Sequence, residues 1–234
     1  MSITTDILIK NGFEEQTACL FEKYYKLLIE WNEKINLTAI TDEKEAAYKH
    51  FIDSVSALDT GLFKENSKII DVGTGAGFPG LPLKIYRNDL QVTLMDSLNK
   101  RISFLNEVIS DLDLCGIRTI HSRAEELGRN KHHREKYDIC VSRAVANLSS
   151  LTELCMPFVK LGGYFISLKG PKAEEEVLDA KNAIGLLGGE VEEIKSYCIA
   201  GTELRHNLVI IKKVKPTDKR FPRNAPKPIK EPLK

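Results

Sequence analysis

The sequence predicts an α/β fold: a Rossmann-like, seven-stranded, mostly parallel sheet whose last strand runs antiparallel, preceded by an N-terminal helical cap. Three observations predict it. From Lys68 onward, short apolar runs alternate with helical patterns, which implies βαβ units and right-handed crossovers. The first of these runs ends in a glycine-rich loop that opens directly into a helical pattern. The last two runs are joined through Cys198–Asn207, too short for a crossover helix, so they should pair antiparallel.

Taken in order, Phe13–Trp31 reads as an amphipathic helix, with Phe21, Tyr24, Tyr25, Leu28 and Trp31 at three- and four-residue steps. Asn32–Asn36 should break it. A second helix starts near Thr41–Glu45 and continues over Glu43–Leu58 to a stop near Gly61. The expected strands are Lys68–Val72, Gln91–Met95, Arg118–His121, Tyr137–Ser142, Tyr164–Leu168, Val191–Tyr197 and Leu208–Lys213. Helices are expected over Pro79–Tyr86, Leu98–Leu112, Leu148–Val159 and Ala173–Leu187. This divides the chain into a cap (residues 1–62), an α/β body (63–213) and a tail (214–234).

The tail has its own chemistry. Between Lys212 and Lys234 there are nine basic residues against two acids, and five of the nine prolines. Proline fixes φ and removes a donor, so no long helix or inner strand is expected there. Such a strip either attracts a polyanion, RNA above all, or is simply a solvated terminus. The rest of the chain is net acidic. With 42% hydrophobic and 29% charged residues over 234 positions, the composition is that of a globular protein. No apolar run approaches the roughly 18 residues of a membrane span, and the first residues lack a signal-peptide pattern, so a cytoplasmic protein without a membrane partner is expected. The five cysteines are scattered without a CxxC. They read as reduced core thiols, with no metal site.

The densest signal is Asp71-Val72-Gly73-Thr74-Gly75-Ala76-Gly77-Phe78-Pro79-Gly80. Glycine admits positive φ and close backbone approach, and the free N–H groups of the following helix face whatever sits in the crevice. The stretch formally satisfies GxGxxG, which alone does not separate a dinucleotide from S-adenosylmethionine. Asp71, two residues before Gly73, suits a methionine ammonium better than a pyrophosphate. Asp96, 23 residues after Gly73 at the end of the next run, suits ribose hydroxyls of either ligand. The antiparallel final pair tips the reading to a class I S-adenosylmethionine-dependent methyltransferase. A nucleotide-linked oxidoreductase is the rival, and a non-catalytic RNA-binding protein the third reading.

The residues after the fourth strand narrow the acceptor. Ser142-Arg143-Ala144-Val145 stands where an exocyclic-amine methylase would show an Asn/Asp-Pro-Pro-aromatic stretch, and no Pro-Cys is present for cytosine-C5 chemistry. A ring nitrogen such as guanine N7 has a free lone pair and no proton to lose, so it needs alignment and a cation rather than a base. Arg143 either supplies that charge or forms a helix-start ion pair.

These residues resemble the RsmG family (glucose-inhibited division protein B), essentially end to end. The resemblance rests on Trp31–Ile40, His50-Phe51-Ile52-Asp53-Ser54, Asp71–Gly80, Asp96–Arg101, Arg123-Ala124-Glu125-Glu126, Ser142–Ala146 and Leu168-Lys169-Gly170. It implies S-adenosylmethionine-dependent transfer to guanine N7 in the 530-loop region of 16S rRNA, within the small ribosomal subunit. It also implies that Gly73, Phe78, Ala124, Glu125 and Arg143 contact the cofactor. The glycine loop and the two strand ends add Gly75, Gly77, Asp71 and Asp96 to that set. A monomer suffices.

Four further residues are candidate substrate contacts. His50 and Asp53 share a helix face that either lines the acceptor pocket or stabilises the cap. Lys169 and Arg205 are candidates for neutralising phosphates. Lys100 and Arg101 either balance Asp96 or meet RNA.

Overall fold

The computed structural model of the chain describes residues 2–143, 146–199, 202 and 205–234. Its cap begins with α1 (Ile3–Lys10), whose N-terminus is closed by the Ser2 side chain accepting from the Thr5 N–H. Next comes α2 (Glu15–Ile35), which buries Ala18, Phe21, Tyr24 and Leu28 along one stripe. α2 does not break at Asn32. It runs to Ile35 and stops at Asn36, whose φ of 50° is left-handed, while the Asn32 side chain accepts from the N–H groups of Leu37 and Thr38. The expected second helix is segmented: α3 (Glu43–Ala46), a π-helical turn (Ala47–Ile52), α4 (Asp53–Val55) and a 3-10 turn (Ser56–Thr60). The π turn presents Phe51 to the core and His50 toward the body.

The body alternates β1 (Lys68–Val72), α5 (Gly80–Tyr86), β2 (Gln91–Asp96), α6 (Asn99–Asp111), β3 (Ile117–His121), α7 (Ala124–Leu127), β4 (Tyr137–Arg143), α8 (Leu148–Cys155), β5 (Val159–Lys169), α9 (Ala173–Leu186), β6 (Gly189–Cys198) and β7 (Arg205–Lys213). The strand order is β3-β2-β1-β4-β5-β7-β6. β1, β2, β3, β4 and β5 pair in parallel, and β7 lies antiparallel between β5 and β6. Both faces are covered. On β1, Ile69 belongs to the apolar cluster that takes in the cap, α5 and α6, and Ile70 to the cluster that takes in α8 and α9. The order reverses between β1 and β4, so a crevice opens where the glycine loop leaves β1 and Arg143 ends β4.

The basic tail is docked, and its basic residues are not all on offer to a polyanion. Thr217 and Phe221 are buried. Arg129 and Arg134 of the body reach it through its carbonyl oxygens, those of Pro222 and Phe221 among them. Arg223 makes a two-pronged ion pair with the fully buried Glu153 of α8 (Nη2–Oε2 2.7 Å, Nε–Oε1 3.0 Å). A last short helix, α10 (Lys227–Lys230), is pinned where the Ser150 hydroxyl donates to the Pro228 carbonyl at 2.7 Å. The cysteines differ from expectation too: Cys140 and Cys155 are buried, but Cys19, Cys115 and Cys198 are exposed. No helix among the described residues is long and apolar enough to cross a membrane.

Candidate functional site

A cavity of about 510 Å³ fills the crevice. The strand ends, the glycine loop, the cap and the tail all contribute to its wall. Gly73, Gly75 and Phe78 line it from the loop, Asp96 from β2, Ala124 and Glu125 from α7, Arg143 from β4 and His50 from the cap. The structure therefore gathers these eight candidate site residues, and Arg101 with them.

The three alternating glycines have different jobs. Gly73 (φ 72°) and Gly75 (φ 61°) are left-handed, and a Cβ on Gly75 would meet nothing within 4 Å, so its backbone faces open space. Gly77 does not face the cavity. A Cβ there would stand 2.7 Å from the Tyr24 hydroxyl and 3.0 Å from Leu105, so this glycine lets α2 and α6 close on the loop. Gly80 likewise admits the Asp71 side chain, 2.8 Å from where its Cβ would be.

Asp71 is also displaced from its expected role. It is fully buried behind the loop, where Oδ2 accepts from the Thr74 hydroxyl (2.6 Å) and the Gly80 N–H (2.8 Å), tying β1 to α5. Burial pushes its pKa up to about 6, against the pull of those two hydrogen bonds. Its Oδ1 is buried with no partner among the described residues. Asp96 does sit in the wall. Its Oδ2 accepts from the Gly75 N–H (3.0 Å) and pairs with Arg101 (3.2 Å), and Oδ1 accepts from the Leu98 N–H (2.9 Å). Arg101 thus balances Asp96.

At the other end of the cavity Arg143 is held on all sides. Its Nη1 donates to the Lys49 carbonyl and to Asp53 Oδ2, both at 3.0 Å, and its guanidinium lies 4.7 Å from the Phe78 ring centre. Nη2 meets His50 Nδ1 at 3.3 Å. A guanidinium only donates, so Nδ1 accepts and the His50 proton sits on Nε2, 2.8 Å from the Thr38 hydroxyl. Burial, then the Arg143 charge, pushes the His50 pKa down to about 3, so its ring is neutral. It stacks on Phe78 with centroids 4.4 Å apart.

Asp53 does not reach the cavity. It stands behind Arg143, where Oδ1 accepts from Tyr197 and His206, each at 2.7 Å. Burial alone would raise its pKa, but the hydrogen bonds from His206 and Tyr197 and the Arg143 charge hold it below the ordinary value. The ion-pair alternative for Arg143 is therefore realised, with Asp53, the first residue of α4 in the cap, as its partner.

Lys169 is not free for phosphate: it is nearly buried, with Nζ bound to Glu176 (2.7 Å) and the Ala146 carbonyl (2.8 Å). Arg205 is exposed at the start of β7, outside the cavity wall. Ala144 and Val145 lie outside the described residues. Sequence reasoning missed Thr38 as a wall residue, although it lies within the Trp31–Ile40 stretch, and it missed Leu154 and Ile229. Nothing in the local pattern of a proline-rich tail marks Ile229 as part of a site.

The sheet order and the crevice define a Rossmann-like methyltransferase fold of the S-adenosylmethionine-dependent class. Solved structures share it: M. jannaschii TYW2 in complex with AdoMet (TM-score 0.53, 17% identity, 68% of this chain and 75% of that one) and a SAM-dependent methyltransferase from Methanosarcina mazei (TM-score 0.52, 13% identity, 67% and 97%). The family model GidB, described as rRNA small subunit methyltransferase G, matches residues 17–208. The ribosomal RNA small subunit methyltransferase G of Clostridium perfringens is 56% identical over 222 residues, covering 95% of this chain and 93% of the relative. The chain belongs to this family, the methyltransferases of small-subunit ribosomal RNA.

Proposed function

We propose that the chain transfers a methyl group from S-adenosylmethionine to N7 of a guanine in the 530-loop region of 16S rRNA. One observation carries the choice of acceptor: the polar groups at the Arg143 end of the cavity are already committed. Both His50 nitrogens are engaged, and the Arg143 guanidinium is tied to Asp53. Among the described residues, that end offers a fixed cation and no free base, which suits a ring nitrogen with its lone pair exposed.

The cavity also suits the cofactor. The backbone at Gly75 faces open space where any side chain would intrude, and Asp96 and Glu125 supply acceptors in its wall. Gly73 and Gly75 would pass beneath the methionine portion, Asp96 would receive the ribose, and Phe78, Ala124 and Glu125 would border the adenine. When bound, the sulfonium supplies the electrophilic methyl. The protein's part is to hold the base in line with it and keep water out. Arg143, locked against Phe78, fixes positive charge beside the acceptor without rearrangement. A monomer suffices for this.

The test is tritiated methyl transfer to unmodified small subunits, with the labelled nucleoside identified. N7-methylguanine is expected, and a label on an amine or a ring carbon overturns the reading. Gly75→Val should abolish S-adenosylmethionine binding by titration. Arg143→Ala should lower kcat strongly, roughly 10²-fold if it acts as a preorganised charge. Turnover at wild-type rate removes Arg143 from the mechanism.

A further inference from the structure

A second cavity, of about 500 Å³, lies at the opposite end of the sheet from the glycine loop. Its wall carries Lys68 from the start of β1, Arg118 from β3, and His132 and Lys136 from the segment before β4. Among the described residues, no Asp or Glu lines it. Among them too, no ion pair holds Lys68, Arg118 or Lys136.

The neighbouring acid is Asp138, and it is occupied: its carboxylate takes the Lys68 backbone N–H at 2.7 Å and pairs with Lys160. Arg118 is oriented by a bond from Nε to the Thr93 hydroxyl (3.2 Å). A fourth cation lies underneath. The ammonium of the nearly buried Lys84 is 3.0 Å from where a Cβ on Gly116, part of the wall, would stand, and it donates to the carbonyls of Asn88 and Leu90. The positive field is felt next door. Burial, then Arg118 and His132, lowers the pKa of His133.

Like charges gathered in a concavity repel one another and focus a field that attracts anions. Outside the tail the chain is net acidic, so this cluster runs against the background. Among the described residues, the wall's Tyr137 is 4% exposed and the Lys68, Arg118 and Lys136 side chains are exposed, so charge dominates the face the cavity offers, which suits phosphate contacts. Gly73 lies five residues beyond Lys68 along β1, about 17 Å at ~3.3 Å per residue, a span that a few nucleotides of one strand cover. We propose that this cavity anchors backbone phosphates of the rRNA substrate while the target base occupies the crevice at the far end of the sheet. The proposal rests on the family's RNA substrate.

The test compares the wild-type chain with the triple variant Lys68→Ala, Arg118→Ala, Lys136→Ala, all exposed positions outside the cofactor cavity. Binding to unmodified small subunits is measured across a salt series. The slope of log affinity against log salt should fall by roughly 2–3, at about 0.7–0.9 per phosphate released. KM for subunits should rise by at least about 10-fold, while kcat and S-adenosylmethionine affinity hold. An unchanged slope overturns the proposal. So does a titration in which inorganic phosphate or ATP binds the wild type and not the variant while subunit binding is equal, which would make the cavity a small-anion site. Binding is read apart from transfer, so failure of the wild type to form N7-methylguanine would sink the acceptor assignment and leave this comparison intact.

Discussion

The cap and the tail both deliver side chains to the same cavity, but they are fastened to the body by different physics. The cap is tied through a buried polar knot: Asp53 receives Arg143, Tyr197 and His206, so one carboxylate joins the cap to β4, β6 and β7. The tail is clamped mainly through its own carbonyl oxygens, with one two-pronged ion pair between Arg223 and Glu153. Loss of a hub strands several groups at once, whereas loss of a clamp frees one segment. The difference predicts where each change will be felt.

The largest effect should come from Asp53→Ala. It leaves the Arg143 cation unpaired and removes the acceptor of Tyr197 and His206. Removing one partner of a buried pair costs about 3–5 kcal/mol, to be read as a lower urea midpoint at unchanged m-value. A loss under about 1 kcal/mol would show that the knot is not a hub. Glu153→Ala comes next, at roughly 1–3 kcal/mol, because Arg223 keeps 24% exposure and can turn to water. Its signature is local: hydrogen exchange should quicken in residues 215–234 and not in the cap. Uniform quickening would erase the distinction.

The third effect depends on pH. His50 is neutral in the folded protein down to about pH 3 but protonates near 6.5 when unfolded. Between those values the unfolded chain binds the extra proton, so stability is full above about 6.5 and is lost as pH falls. Asp71 works the other way. Its raised value, about 6, lets the folded state hold a proton that the unfolded state releases above about 4, so its share is lost as pH rises across that window. Stability of His50→Gln relative to wild type should therefore improve on acidification from pH 6.5 to 4.5, by on the order of 1 kcal/mol per unit. A difference independent of pH would mean that His50 is charged in the fold. The smallest effect is Ile229→Ser. The side chain is 47% exposed, so its removal should weaken S-adenosylmethionine binding only a few-fold, roughly 1 kcal/mol, with kcat and unfolding midpoint unchanged.

Periodicity and punctuation made most of the body readable. β1 spans Lys68–Val72 as expected, and the antiparallel closing pair follows from a connection too short for a helix. The helix over Glu43–Leu58 was readable as a helical region but not as a series of α, π and 3-10 turns, because the register is set by seating Phe51 and His50 against Phe78. In the site, the glycines were readable as a group. Their division into Gly75, open to the crevice, and Gly77 and Gly80, packed against Tyr24 and Asp71, depends on neighbours distant in sequence. For Lys169 the neutralising acid lay only seven residues on, but that Glu176, of Glu174, Glu175 and Glu176, turns back to it is fixed by how α9 leaves β5. In the tail, composition reported the charges. It could not report that the carbonyl oxygens do most of the docking.

The buried Tyr24 hydroxyl donates to the carbonyl of Ala76, inside the glycine loop. Helix α2 therefore senses the loop on which the donor molecule would rest. If ribosomal contacts shift that helix, they alter donor affinity, and a loaded loop must alter grip on the ribosome by the same factor. The two ligands would then reinforce or oppose each other through a single phenol.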